Sequence, residues 1–121
     1  MTVLLLALAG GVGAGLRFIV DGLVRARART ALPVGTILIN VSGSLCLGLL
    51  TGLVAGHYTD SSWGLVLGVG LLGGYTTFST ASFETVRLIQ SRRTWFAVVN
   101  SLGTVMACVL AATAGFALTL L

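Results

Sequence analysis

The segment GGYTTFSTASFE, residues 73–84, places two glycines, five serine or threonine side chains and a carboxylate inside a long apolar stretch. Each glycine costs a helix interior about 1 kcal/mol relative to alanine. The segment therefore predicts a transmembrane helix that is broken near its middle, with backbone carbonyls released to line a cavity or bind a cation. The alternative is a continuous helix whose hydroxyls bond back to its own carbonyls.

The composition of the whole chain shows what surrounds this segment. Of the 121 residues, 56% are hydrophobic and 8% are charged, and the mean hydropathy is +1.06. Such a chain is typical of an integral membrane protein. A bilayer crossing needs about 20 apolar residues, and four stretches meet that length: residues 3–24, 34–56, 63–90 and 94–120. We expect one all-α transmembrane domain over residues 1–121.

The basic residues predict an orientation. All seven are arginines, and five lie in the first and third loops: Arg25, Arg27, Arg29, Arg92 and Arg93. Because arginine is retained on the cytoplasmic side of a membrane, this distribution predicts that both termini lie outside the cytoplasm. The positive charge is then a topology signal, and we expect no nucleic-acid partner.

The 17 glycines predict close helix packing. Many of them recur every four residues, which gives a helix a small-residue face that lets two backbones approach each other. The spaced sets are Gly11 and Gly15; Gly48, Gly52 and Gly56; Gly64 and Gly68; and Gly70 and Gly74.

Two asparagines, Asn40 and Asn100, also fall within apolar stretches. A polar side chain at membrane depth needs a partner helix or an aqueous path. Asn100, Thr104 and Cys108 recur every four residues and so share one helix face, as a polar track along a pore would. A hydrogen bond between helices is the alternative for either asparagine.

Three segments, in order along the chain, resemble motifs of the CrcB or Fluc family, the small fluoride channels of bacterial membranes. They are GGVGAGLRF (10–18), PVGTILINVSGS (33–44) and GLLGGYTTFST (70–80). The resemblance implies a fluoride-selective channel for passive export, not an enzyme, in the bacterial inner (plasma) membrane. It further implies an antiparallel dimer with two pores and a structural sodium ion (Na+) at its centre, held by the main-chain carbonyls of Gly73 and Thr76. Carbonyl oxygens suit such a hard ion.

The same resemblance implies a fluoride pathway. Asn40 and Phe78 match pore residues of the family, Ser79 and Thr80 add hydroxyl donors, and Asn100 and Thr104 continue the track. Neutral donors of this kind replace the hydration water of fluoride without trapping the ion at a full positive charge. Arg17 is expected either to draw anions into the cytoplasmic vestibule or to snorkel at the interface.

The chain departs from the family pattern at Ala81, which stands where the second pore phenylalanine belongs. Phe83 is two residues later, about 200° around a helix, and cannot take over that position. One pore is therefore expected to be altered or lost. Together with the one-sided arginines, this predicts a dimer with an oppositely oriented homologue, whereas a dual-topology homodimer is the alternative.

Two other functions stay open at this point. A small multidrug-type, proton-coupled exporter is also a four-helix chain of this length, and it needs a titratable carboxylate in the membrane, for which Glu84 is the candidate. The second is a non-conducting accessory subunit of a heterodimeric channel.

Overall fold

The computed structural model describes residues 1–121, all in helices or short connections and without any strand. Its helices are α1 (Thr2–Arg27), α2 (Val34–Ala55), α3 (61–75), α4 (Phe78–Gln90) and α5 (Thr94–Leu118). Helices α3 and α4 follow one path across the membrane, Ser61–Gln90, so the chain has four crossings with mean hydropathies from 1.2 to 2.1. The four predicted membrane crossings are confirmed.

Helical structure stops between α3 and α4 at Thr76 and Thr77, whose backbones are extended (φ −76°, ψ 162° and φ −150°, ψ 124°). The predicted position was Gly73–Gly74, but both glycines are helical, and no glycine in the chain has a positive φ. A Cβ on Gly74 would overlap the carbonyl of Gly10 in α1. The glycine is thus needed for contact between helices, and the interruption comes from the threonines that follow.

The glycine faces bring helix backbones together at two interfaces. Between α2 and α5, a Cβ on Gly48 would overlap the Ala112 carbonyl, and one on Gly115 would overlap the Leu45 carbonyl. Between α1 and α3, Gly13 has the same relation to the Leu71 carbonyl. The predicted pair Gly11 and Gly15 differs, because a Cβ added to either glycine would meet no atom of another segment within 4 Å.

The single chain has a thin interior. Only 15 of its 121 residues are buried, and large apolar side chains cover the outside of every crossing. Phe18 is 82% exposed and Phe78 is 84% exposed. Lipid or another protein chain must cover these surfaces, because they are too apolar to face water.

Two helices contain wider, π-type turns, at Leu65–Leu72 in α3 and Val99–Gly103 in α5. Turns of this kind are rare and are frequent at functional sites. The second includes Asn100, whose side chain is nearly inaccessible at 1% exposure. The π turn therefore coincides with the most deeply buried polar side chain of the fourth crossing.

Candidate ion pathway

A cavity of about 650 Å³ lies beside the interruption, between α2, α3, α4 and α5. The cavity wall includes six of the nine residues that the sequence singled out: Asn40, Gly73, Thr76, Phe78, Asn100 and Thr104. Ser79, Thr80 and Arg17 do not line it. No residue of the wall carries a formal charge. Most of the predicted site residues therefore line one cavity without charged side chains.

Asn40 is joined to the interruption by a pair of hydrogen bonds. Its Nδ2 donates to the Thr77 carbonyl at 2.8 Å, and its Oδ1 accepts from the Thr77 backbone N–H at 2.8 Å. The side-chain amide thereby replaces the helical partners that an extended residue loses, a requirement at membrane depth, where water cannot satisfy these groups. One N–H of Nδ2 remains available to the cavity.

Thr77 also caps the start of α4. Its Oγ1 accepts from the Thr80 backbone N–H at 3.2 Å and donates to the Thr80 Oγ1 at 2.9 Å. Threonine is a good N-cap because its oxygen satisfies one of the four N–H groups that begin a helix without partners. The Thr80 side chain is therefore occupied in the cap, outside the cavity wall.

The interruption leaves four backbone carbonyls, those of residues 73–76, without their helical donors. In an unbroken helix, Thr77 N–H would bind the Gly73 carbonyl and Thr80 N–H would bind the Thr76 carbonyl. Instead the two donors bind Asn40 and the Thr77 hydroxyl. Two of these carbonyls, those of Gly73 and Thr76, are the ones that the family resemblance assigned to sodium, and as neutral oxygen ligands they fit a hard cation.

Arg17 lies at the interruption. Its Nη1 donates to the Thr76 carbonyl at 3.1 Å, and the side chain is half-buried. A guanidinium at the carbonyl end of a helix also offsets the negative end of the helix dipole. The carbonyl oxygen has a second lone pair, so this bond leaves one acceptor position on Thr76.

Asn100 uses both of its N–H groups within the chain. Its Nδ2 donates to the Ala81 carbonyl at 3.1 Å and to the Thr85 Oγ1 at 2.8 Å. The Asn100 Oδ1 and the Thr104 Oγ1 are buried without a hydrogen-bond partner. Asn100 therefore joins α5 to α4, and its amide has no N–H left to offer an anion.

The hydrogen bonding of Thr104 differs from that of several other hydroxyl residues in these crossings. Six others donate to the carbonyl four residues before them: Thr51, Thr76, Ser82, Thr85, Ser101 and Thr113. The Thr104 hydroxyl makes no such bond and belongs to the cavity wall. It is a buried donor that the chain itself does not use.

The aromatic residues of α4 divide between the cavity and the outside. Phe78 begins the helix, lines the cavity and is 84% exposed in the single chain. Ala81 also lines the cavity, whereas Phe83 faces outward, with its ring centre 5.9 Å from the Arg87 guanidinium carbon. Phe83 does not replace the missing second phenylalanine, as the helix geometry predicted.

Five polar residues of the cavity wall were not among those predicted: Ser44, Thr77, Ser82, Thr85 and Ser101. Thr85 lines the cavity and joins Asn100 to the Ala81 carbonyl, and Thr77 holds the interruption. The spacing from Phe78 through Ala81 to Thr85 is that of a single helix face, so periodicity could have indicated Thr85. The pairing of Thr77 with Asn40 spans 37 positions and has no local signal.

A groove of about 480 Å³, separate from the cavity, lies where the α1–α2 connection meets the end of α4. Arg25 bridges two acids there: its Nε lies 2.7 Å from the Asp21 Oδ2, and its Nη2 lies 3.1 Å from the Glu84 Oε1. The other carboxylate oxygen of each acid is buried without a hydrogen-bond partner. A Cβ on Gly35 would overlap the Asp21 carboxylate, so this glycine provides the room for the acid.

Comparison with known proteins gives consistent matches. A family model described as CrcB-like protein, Camphor Resistance (CrcB), matches residues 4–116. Fluoride-specific ion channel FluC 1 of Leifsonia xyli subsp. xyli is 50% identical over 103 residues, covering 85% of this chain and 75% of that protein. Fluoride-specific ion channel FluC 2 of Cutibacterium acnes is 44% identical over 119 residues, covering 98% and 97%. FluC 1 of Streptomyces avermitilis is 44% identical over 112 residues, covering 92% and 90%.

Proposed function

Because this chain belongs to the CrcB family, and its relatives are named fluoride-specific ion channels, we propose that it conducts fluoride passively and lowers fluoride in the cytoplasm. It is a channel, not an enzyme. The family also removes the proton-coupled exporter from consideration. The observation that carries the proposal is the neutral cavity beside the interruption, with polar groups from α2, α4 and α5 in its wall.

The cavity suits a small, strongly hydrated anion. The free N–H of Asn40 and the hydroxyl of Thr104 are donors that replace water, and the positive edge of the Phe78 ring adds a weaker attraction. Since no arginine lines the wall, an anion bound there is not held by a full positive charge. Conduction needs this balance, because an ion that binds too tightly does not leave.

Sodium binding is the next part of the proposal. The released carbonyls of Gly73 and Thr76 would hold the ion, and the neutral donors suit sodium better than a soft metal. Bound there, sodium would supply a fixed positive charge that raises the potential for anions in the neighbouring cavity. The two carbonyls of one chain are few ligands for such an ion, which supports a site completed by a second chain.

An antiparallel dimer in the bacterial plasma membrane follows from the same reasoning. The high exposure of Phe78 beside the cavity supports a partner that covers this surface. The arginines of the first and third loops favour one orientation, with both termini outside the cytoplasm. We propose an oppositely oriented homologue as the partner, with a dual-topology homodimer as the alternative.

Liposomes that contain only this protein test the proposed function. We expect fluoride efflux without ATP or a proton gradient, and little chloride efflux from matched liposomes. Equal rates for the two anions would overturn fluoride selectivity. No efflux alone, followed by efflux once an oppositely oriented homologue is added, would instead identify a subunit that requires its partner.

A further inference from the structure

The groove at the end of α4 contains an unusual balance of charges for the mouth of an anion channel. Its wall includes three arginines, Arg25, Arg87 and Arg93, and two acids, Asp21 and Glu84, for a net charge of +1. Arg25 bonds to both acids, whereas neither Arg87 nor Arg93 forms an ion pair. Arg25 therefore offsets one of the two negative charges directly, and without it the net charge of the groove falls from +1 to 0.

The position of Glu84 makes this neutralisation important for an anion. Glu84 precedes Thr85, which lines the cavity beside the interruption, so the groove and the cavity meet consecutive residues of α4. The Glu84 side chain is only 13% exposed, whereas that of Arg25 is 61% exposed. Water screens a buried charge much less than an exposed one. Without Arg25, the carboxylate would repel anions that approach the cavity.

We propose that the groove is an anion entrance and that Arg25 keeps it net positive, and so open to fluoride, by offsetting part of the charge of Asp21 and Glu84. This inference rests on the proposed function. Arg25 would act through the field in the groove, since it lies outside the cavity wall. Clefts of one charge sign raise the local concentration of ions of opposite sign, and the effect weakens as salt increases. Loss of Arg25 would remove that effect, because the net charge of the groove would fall to zero and the two acids would lose their partner.

Fluoride efflux from liposomes, measured at low and high ionic strength, tests the inference. Arg25→Gln is expected to lower the initial rate about tenfold at low ionic strength, within the range known for electrostatic steering, and less at high ionic strength. The double variant Arg25→Gln/Glu84→Gln restores the net charge of +1 and is expected to recover most of the lost rate. Arg27→Gln is the matched control, because it removes one charge from the same end of α1 outside the groove.

The outcomes distinguish failure of this inference from failure of the proposed function. If wild-type protein gives no fluoride efflux, the proposed function fails; if it conducts and Arg25→Gln matches Arg27→Gln, the inference alone fails. A folded double variant that stays as slow as Arg25→Gln would show that Arg25 only holds α1 to α4, which also overturns it. Should Arg25→Gln not fold, Glu84→Gln alone decides: we expect a rate at or above wild type, and a slower rate overturns the inference.

Discussion

The α2–α5 interface and the α3–α4 interruption both depend on close approach, but they achieve it with different chemistry. At the interface, Gly48 and Gly115 bring backbones together with no polar side chain between them. At the interruption, Asn40 of α2 supplies an amide to the backbone of Thr77. In the first case both helices are continuous at the contact, and in the second a side chain replaces bonds that the helix has lost. The apolar interface depends on the absence of side chains at two glycines, whereas the interruption depends on the presence of one amide side chain.

Asn40→Leu should give the largest effect, because it removes both partners of the extended Thr77 backbone. Each buried group left without a partner costs about 1–3 kcal/mol. We expect a marked loss of thermal stability in detergent and no fluoride efflux. Asn40→Asp is the informative companion, since it retains the acceptor for Thr77 N–H but not the donor. Full efflux in Asn40→Leu would mean that the interruption does not need the amide.

Gly48→Ala tests the apolar side of the comparison. The added methyl would overlap the Ala112 carbonyl, and such overpacking costs typically about 1–3 kcal/mol. We expect a lower unfolding temperature, with fluoride efflux preserved per folded molecule. Gly15→Ala, which meets no atom within 4 Å, serves as the control in the monomeric protein. Equal unfolding temperatures for the two variants would contradict the close contact between α2 and α5.

Thr104→Val separates transport from stability. The substitution removes a hydroxyl that bonds to nothing in the chain, so we expect little change in the unfolding temperature. A hydrogen bond to a charged group is worth about 1.5–3 kcal/mol, and its loss should slow fluoride efflux about tenfold or more. Thr113→Val removes an exposed hydroxyl that bonds to the Val109 carbonyl and should leave efflux intact. If both variants conduct equally, Thr104 is not part of the pathway.

The smallest expected effect lies outside both regions, at the start of α3. Asp60 accepts a hydrogen bond from the Ser62 backbone N–H at 2.8 Å, and this bond holds the pKa of Asp60 below its ordinary value. The stabilisation is present above the pKa of the unfolded chain and is lost as the pH falls through the lower pKa of the folded chain. Asp60→Asn should remove this part of the acid dependence while retaining a capping oxygen. If the unfolding temperature of Asp60→Asn fell at acid pH as much as that of the unmodified chain, the assignment would be contradicted.

Hydropathy was sufficient to predict the four crossings, because membrane thickness fixes their length. The position of the interruption was harder to predict from sequence. Gly73 and Gly74 weaken a helix and also permit close packing, and only the nearness of Gly10 shows that Gly74 serves the second purpose. Motif similarity indicated Asn40 and the four-residue spacing indicated Thr104, whereas the bonds of Asn40 to Thr77 and of Arg17 to Thr76 arise from tertiary structure.

The bond between Asn40 and Thr77 also has a consequence for biosynthesis. The ribosome makes Asn40 37 residues before Thr77, so α2 is complete when the second half of the third crossing is translated. Without α2 beside it, this segment would expose an unpaired N–H and carbonyl to lipid and would favour a continuous helix. The extended pair of threonines therefore forms only after α2 has docked. Assembly of the crossings, rather than their insertion, creates the ion pathway.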